Sequence, residues 1–466
     1  MEIELLDMEI IAEQNPVNKL ITNTKRKYDI IIFGASGYTG KFVVLEMGRL
    51  SQIYNLTWAV AGRNTANLRN VLNRLYQDGY EDKKIDVIYA NVYDFESVMR
   101  MVQKTSVVIN CTSPYYIYGE VVVKSCVLTS THYVDVTSEP LFMEKMAFKY
   151  NKKAEENNSI IVNALGMDGV PADLGIEFLY KHFDGKLKNV DMYMKIYLRS
   201  FVFVSGFFHQ SVWISALLHL ASKTQRLFYR DLLDDLMGIT RTQPNVSKIL
   251  HYQQMSMLSD TKYWCLAYPE PDQSVVARSI HHAKTVENLP YNFSARRYMV
   301  INGLIPALNV LFIFFFLSFL VIFEPIRILL MRFSYFFTGG LVSKAGPGEK
   351  LSKNLSMTFS LIGYGTTSVK FPTTDDKEGT TQKNITATRK TIVQIEAENP
   401  GYGFTSKAVI LGAITILKDQ MNIPKGGVLT PAAAFRNTQF INRLIKHDAA
   451  TFQIESDLVT YSEEKK

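Results

Sequence analysis

Tyr28-Asp29-Ile30-Ile31-Ile32-Phe33-Gly34-Ala35-Ser36-Gly37-Tyr38-Thr39-Gly40 joins a short apolar run to a glycine loop. A run rich in β-branched residues and ended by glycine reads as a strand buried on both faces. Gly34, Gly37 and Gly40 follow at G-x-x-G-x-x-G spacing. They lie directly before a segment that carries Phe42, Val43, Leu45, Met47 and Leu50 at helical intervals. In that setting the first glycine permits a tight turn, the second lets backbone approach a pyrophosphate, and the third packs helix against strand. The free N–H groups at the helix start face the phosphates, with Ser36 and Thr39 as added hydroxyl donors beside Tyr38. The loop is expected to hold a dinucleotide.

Working outward, strand and helix signals alternate. Thr57–Ala61, Asp86–Ala90, Ser106–Asn110, His132–Val136 and Ser159–Asn163 read as further strands. Such alternation favours an α/β fold with an N-terminal Rossmann-type parallel sheet and helices on both faces. After residue 185 the period changes: Val190, Met192, Met194, Ile196 and Leu198 alternate, as in a half-buried antiparallel strand. Segments 356–361 and 391–397 are similar and are expected in the same sheet, in a second α/β domain. Helices are expected over 406–417 and 434–446. The stretch 222–288 gives no clear period. The expected division is an N-terminal extension over 1–26, a cofactor-binding domain over 27–185, and the second domain over 186–466. That second domain is interrupted by an apolar, membrane-associating segment over 299–337.

The second strand selects the cofactor. A site for NAD usually ends that strand with Asp or Glu, which binds the ribose hydroxyls. Here Ala61-Gly62 is followed by Arg63, whose paired N–H donors suit a 2′-phosphate. NADP(H) is therefore the expected cofactor. Asn110 and Pro114 follow the fourth strand, at the carboxyl edge where open sheets bind ligands. Tyr115 and Tyr116 flank the nicotinamide or simply pack. Asp94 sits by the adenine pocket or caps a helix. Asp168 and Asp173, around the turn 166–171, are candidate cleft carboxylates or helix caps. Cys111 has no basic partner nearby in sequence and reads as an inert buried thiol. No acid–base constellation is visible among these groups or the eight histidines, so the catalytic residues stay unassigned.

Composition narrows the class. A chain of 466 residues with 47% hydrophobic and 20% charged residues is that of a folded protein with room for two domains. A net charge of +7, with no Lys/Arg block, gives no nucleic-acid patch, and it is compatible with anionic lipid or a phosphorylated cofactor. Cys111, Cys126 and Cys265 form neither a disulfide framework nor a metal-ligand spacing, so no metal site is expected and a reducing, intracellular compartment is. The acidic start over 1–13 does not resemble a targeting signal. Leu304–Phe323 is free of charge and includes Phe314-Phe315-Phe316. A span there would cut segments 356–361 and 391–397 off from 190–198. The preferred reading is a hairpin or partly embedded helix dipping into one leaflet, bent at Glu324-Pro325; a spanning helix is the alternative.

Taken together these segments resemble the saccharopine dehydrogenase-like oxidoreductase family, animal type, over nearly the whole chain. The resemblance rests on 33–40, on Trp58-Ala59-Val60-Ala61-Gly62-Arg63, and on Tyr118-Gly119-Glu120. It continues through Pro171-Ala172-Asp173-Leu174-Gly175 and Gly426-Gly427-Val428-Leu429-Thr430-Pro431. It implies an oxidoreductase associated with a membrane or a lipid-droplet surface facing the cytosol, with the mitochondrion as another location and a homo-oligomer as one arrangement. Similarity to bacterial trans-acting enoyl reductases implies a lipid-like substrate. The alternative is a non-catalytic NADP(H)-binding scaffold or sensor of lipid droplets. Two positions depart from the family pattern, Ser113 for glycine in Gly-Pro-Tyr and Gly169 for serine after Asp168. Both lie on the presumed nicotinamide side.

Overall fold

The computed structural model describes residues 26–80, 84–200, 206–239, 249–254, 261–268, 272–373 and 381–460. The extension read over residues 1–26 thus lies outside the described residues, apart from Arg26. That residue already belongs to the fold: its guanidinium donates to the carbonyls of Val102 at 3.1 Å and Thr129 at 2.7 Å.

The first layer comprises β1 (Tyr28–Phe33), α1 (Tyr38–Tyr54), β2 (Trp58–Gly62), α2 (Thr65–Gln77), β3 (Asp86–Tyr89), α3 (Phe95–Val102) and β4 (Thr105–Asn110). It continues with α4 (Tyr115–Leu128), β5 (His132–Asp135), α5 (Pro140–Glu156), β6 (Ile160–Val162) and α6 (Val170–His182). The second begins with β7 (Lys186–Leu198), β8 (Phe208–His209), α7 (Gln210–Ala221), α8 (Lys223–Met237), β9 (Leu250–Gln254), β10 (Lys262–Ala267), α9 (Asp272–Thr285) and β11 (Ser294–Ile301). Then come α10 (Leu304–Leu320), α11 (Glu324–Arg332), α12 (Ser334–Phe337), β12 (Val342–Ser343), α13 (Glu349–Asn354), β13 (Leu355–Thr373) and β14 (Thr381–Glu398). The chain closes with α14 (Thr405–Lys418), β15 (Gly427–Leu429), α15 (Pro431–Phe435), α16 (Phe440–Lys446) and β16 (Thr451–Thr460).

The first sheet is parallel throughout, in the order β15-β6-β5-β4-β1-β2-β3. Alternate residues of β1 serve two cores: Ile30 and Ile32 face one, Ile31 and Phe33 the other. Both faces are covered, so the strand carries no polar alternation. The boundary expected at residue 185 leaves out one strand, because β15 comes from the C-terminal end of the chain and pairs with β6. Three residues in a Gly/Pro-rich stretch carry too little pattern to be read as a strand.

The second sheet is mixed, in the order β16-β14-β13-β7-β11-β10-β9. Segments 190–198, 356–361 and 391–397 do share it. Strand β7 pairs antiparallel with β13 and parallel with β11. Val190, Met192 and Met194 face the core, as their alternation requires, whereas Ile196 is exposed. The stretch 222–288 holds α8, β9, β10 and α9. Only Tyr229 and Leu233 of α8 are buried, too narrow a stripe to announce a helix. Residues expected as one last helix form two, α15 and α16. One apolar cluster runs from β1 and β4 through α6 and α14 to β7, β13 and β14, so the two layers share a core.

The segment expected over 299–337 begins later than expected. Met299–Ile301 belong to β11, and the exposed apolar surface starts at Leu304. Helix α10 has 17 residues, so at about 1.5 Å per residue it reaches ~25 Å against a hydrocarbon core of about 30 Å. Among the described residues no helix is long and apolar enough to cross a membrane, and the spanning alternative is not what the structure contains. The chain turns after Leu320, and Glu324-Pro325 open α11, where proline lacks only an N–H that the first turn leaves unused.

Candidate functional site

The strand order reverses at β1, which has β2 on one side and β4 on the other. In an open parallel sheet this is where the following loops separate and leave a crevice. The three strand ends are level there: Phe33 lies opposite both Ala61 and Asn110. The N–H of Gly34 then donates to Ala61 O at 3.0 Å, and that of Cys111 to Phe33 O at 2.8 Å.

Each loop glycine meets a backbone limit. Gly34 has φ +80°, and a Cβ there would lie 3.0 Å from the Cys111 carbonyl carbon. A Cβ at Gly40 would sit 2.3 Å from Gly34 O. Helix α1 starts after Gly37 with neither a side-chain cap nor an acidic residue in its first turn. Its leading N–H groups therefore keep their donor capacity and positive end for an anion. Gly37 is exposed, with Ser36 and Thr39 half-buried beside it. Arg63 is exposed just past the end of β2. A glycine cradle that a Cβ would fill, an uncapped helix start and an exposed guanidinium together fit a phosphorylated dinucleotide.

Two of the expected cofactor residues, Tyr38 and Asn110, have side chains engaged within the protein. The ring of Tyr38 turns away into an aromatic cluster, stacked on His209 at 4.9 Å and edge-on to Tyr402 at 4.7 Å. Its contribution at the loop is therefore backbone only. The Asn110 side chain is fully buried: its Oδ1 accepts from Thr112 N–H at 3.0 Å, and its Nδ2 donates to the Tyr133 hydroxyl at 3.1 Å. It shapes the loop and does not reach into the crevice. Pro114 is buried in a cis bond after exposed Ser113 and leads into α4. Asp94 caps α3 by accepting from Ser97 N–H at 3.1 Å. Tyr115 is buried, with its hydroxyl donating to Asn110 O at 2.9 Å.

Sequence reading passed over two buried carboxyls at this edge. Asp135 ends β5 and accepts from the Tyr133 hydroxyl, Asn163 Nδ2 and the N–H groups of Thr137 and Ala164, at 2.7–3.1 Å. Burial pushes its carboxyl up to about 6, against those hydrogen bonds. Glu139 accepts from Tyr115 N–H at 3.1 Å, Tyr116 N–H at 2.7 Å and the Ser215 hydroxyl at 2.7 Å. Burial raises its pKa as well. The rule that singled out Asn110, a polar residue at the carboxyl end of a strand, also marks Asp135.

Asp173 is buried and holds Ser279 and the N–H of Ala432, so it joins α6 to the C-terminal segment and does not face a cleft. Asp168 remains a quarter exposed, 3.8 Å from buried Arg297 of β11. Burial raises its carboxyl pKa, and Arg297 opposes the shift. Burial pushes the Cys111 thiol up to about 12, which leaves it a poor nucleophile.

Comparison with known proteins agrees with this geometry. Residues 30–162 match the model of the saccharopine dehydrogenase NADP binding domain. A Homo sapiens protein named saccharopine dehydrogenase-like oxidoreductase is 30% identical over 94% of this chain and 99% of its own length. A Caenorhabditis elegans relative named lipid droplet localized protein is 30% identical over 92% of this chain and 99% of that one. Among solved structures, apo saccharopine dehydrogenase (L-Glu forming) from Saccharomyces cerevisiae aligns with a TM-score of 0.51 at 15% identity, over 93% of this chain and 100% of that one, a likeness of fold. With a full-length relative at that identity and a glycine cradle that meets the requirements of its cofactor, the chain belongs to the saccharopine dehydrogenase-like oxidoreductase family and carries an NADP(H)-binding domain.

Proposed function

We propose that this protein is an NADP(H)-dependent oxidoreductase that works at a lipid surface, that of a cytosolic lipid droplet, on a lipid-like substrate. The observation that carries the reading is the apolar face of α10–α12. Ile305, Phe312, Phe315, Phe319, Ile322 and Phe336 are each at least 60% exposed, and further Phe and Leu side chains between them are about half exposed. Monomeric proteins in water rarely leave so much contiguous apolar surface uncovered. The helices are too short to span, so they suit the interface of one leaflet or a droplet monolayer. The name of the worm relative points the same way.

When bound, NADP(H) supplies a hydride donor or acceptor at its nicotinamide. In this reading the N–H groups after Gly37 hold the pyrophosphate and Arg63 the 2′-phosphate. The loop Thr112–Pro114, set by Asn110, forms the wall on the nicotinamide side. Asp168, a quarter exposed and with its pKa raised by burial, is the candidate group to hold a proton in this reading.

Floating the full-length protein on triolein droplets coated with phosphatidylcholine tests the location. Wild type is expected to float, and Phe312→Ser/Phe315→Ser/Phe319→Ser to stay below. Equal flotation of the two would sink the assignment of this face. Turnover is tested by loss of NADPH absorbance on addition of fractionated membrane lipids, where failure in every fraction rejects catalysis. A second reading, an NADP(H)-binding scaffold or sensor, draws on one observation. Asp135, Glu139 and Asp173 are all committed to internal hydrogen bonds.

A further inference from the structure

The apolar helices are not an appendage. They belong to a small module, α7 with α10–α12, whose own cluster is Leu217, Val321 and Leu330 with Trp213, Leu317 and Met331 around it. It is thinly packed: Leu217 is the only buried residue of α7, Ala307 of α10 and Leu330 of α11. Trp213 Nε1 and Gln210 Nε2 of α7 donate to the carbonyls of Leu330 and Met331, which ties α7 to the exposed helices.

This module touches both cofactor loops. The chain first enters it through β8 and last leaves it through β12, with α8 to β11 between, and these two strands pair, Phe208 with Val342 and His209 with Ser343. Tyr38 of the glycine loop rests on that junction. Its ring stacks on His209, and its hydroxyl donates to the carbonyl of Pro347. At the other loop, Ser215 of α7 donates to Glu139 at 2.7 Å. The same carboxylate receives the N–H groups of Tyr115 and Tyr116, the two residues that follow Pro114. Helix α7 therefore latches the nicotinamide side through Ser215, and its N-cap residue His209, at the end of β8, latches the phosphate side.

We propose that α7 couples lipid-surface docking to cofactor binding, with Ser215 and His209 as positioning residues. The inference rests on the reading that α10–α12 meet lipid and that the two loops hold NADP(H). A module with so few buried side chains is the kind that opens locally in water. Covering its apolar face stabilises the closed form, and that form fixes both loops. Coupling between two binding events is reciprocal: lipid must tighten NADPH to the same degree that NADPH tightens lipid.

The test measures NADPH affinity of the full-length protein by quenching of its fluorescence, with and without vesicles of phosphatidylcholine containing a minor share of phosphatidylserine. Flotation is scored in parallel. The expected result is a gain of about five- to tenfold in NADPH affinity on vesicles, within the usual range of coupling. Vesicle partitioning should gain equally when NADPH is added. Ser215→Ala should still float and still bind NADPH, but lose most of the gain, whereas Ser215→Thr, which keeps the hydroxyl, should retain it. His209→Ala gives the same loss through the second latch, should Ser215→Ala fail to fold. Unchanged NADPH affinity in a wild type that floats overturns the coupling alone. A full gain in both Ala variants overturns the role of α7. A wild type that does not float overturns the coupling together with the lipid reading, and one that floats without binding NADPH overturns the cofactor premise.

Discussion

At the scale of single residues, two substitutions separate cofactor choice from cofactor binding. Arg63 is exposed at the end of β2 and packs nothing into the core. Removing it should leave stability alone. A hydrogen-bonded contact to a charged group is worth about 1.5–3 kcal/mol, roughly ten- to a hundredfold in affinity. Arg63→Ala should therefore cut the preference for NADPH over NADH by about that factor, measured as the ratio of the two dissociation constants. An unchanged ratio rejects the 2′-phosphate role. Gly40→Ala addresses the loop itself. Alanine is the better helix former by about 1 kcal/mol. Its Cβ, however, would stand 2.3 Å from Gly34 O and 2.8 Å from Ala35 Cα, both backbone atoms that cannot rotate away. Strain of about 1–3 kcal/mol should outweigh the propensity gain. The melting temperature should fall, and the protection that NADPH gives against thermal unfolding should shrink with it.

At the scale of elements, strand β5 carries opposing titrations at its two ends. His132 Nδ1 accepts from the N–H of Ile160 at 3.1 Å and so is held neutral. Burial lowers its pKa to about 4 from 6.5. Between those values the unfolded chain binds a proton that the folded one refuses, so stability falls on acidification. At the other end the carboxyl of Asp135 is raised to about 6 from 3.8. There the folded chain keeps a proton that the unfolded one has lost, so that group's contribution falls as pH rises through the same window. Urea unfolding at pH 7 and pH 5 should show His132→Gln losing less stability on acidification than wild type. An identical loss would show that His132 does not carry this dependence. These elements also show what could be read beforehand. Strands β1, β2 and β4 were legible because a sheet covered on both faces must be apolar on both. Gly34–Gly40 were legible as a strand-to-helix loop because their spacing directly follows a buried strand, and Arg63 as the residue just past β2. Strand β15 was not, being three residues at the edge of the sheet beside β6, held by residues distant in sequence such as Asn151 and Arg278. The contacts of Ser215 with Glu139 and of His209 with Tyr38 join distant parts of the chain, and no local period records them.

At the scale of the whole molecule, the C-terminal segment is what closes the first layer against the second. Strand β15 pairs with β6, and α15 then brings Arg436 onto Glu177 of α6. The pair is bidentate, at 2.7 and 2.9 Å, and both side chains are 3% or less exposed. Tyr291 donates a further hydrogen bond to Glu177 at 2.6 Å, and Glu287 takes the remaining side of the guanidinium. Attraction in such a site is largely offset by the cost of desolvating both charges, so the pair itself adds little stability. Breaking it is another matter, because the remaining carboxylate would be buried without its counter-charge. Arg436→Met should cost about 3–5 kcal/mol. Glu177→Met/Arg436→Met should recover most of that loss, short of full recovery because Tyr291 and Glu287 lose a partner. A double variant as unstable as the single would mean that Arg436 acts through packing over Tyr291, 5.2 Å from its ring centre. Among the described residues the glycine loop and Arg63 share no hydrogen bond with this cluster. The added stability from saturating NADPH should therefore be the same in wild type and in both variants, and a smaller increment in Arg436→Met would show that closure of the two layers reaches the glycine loop.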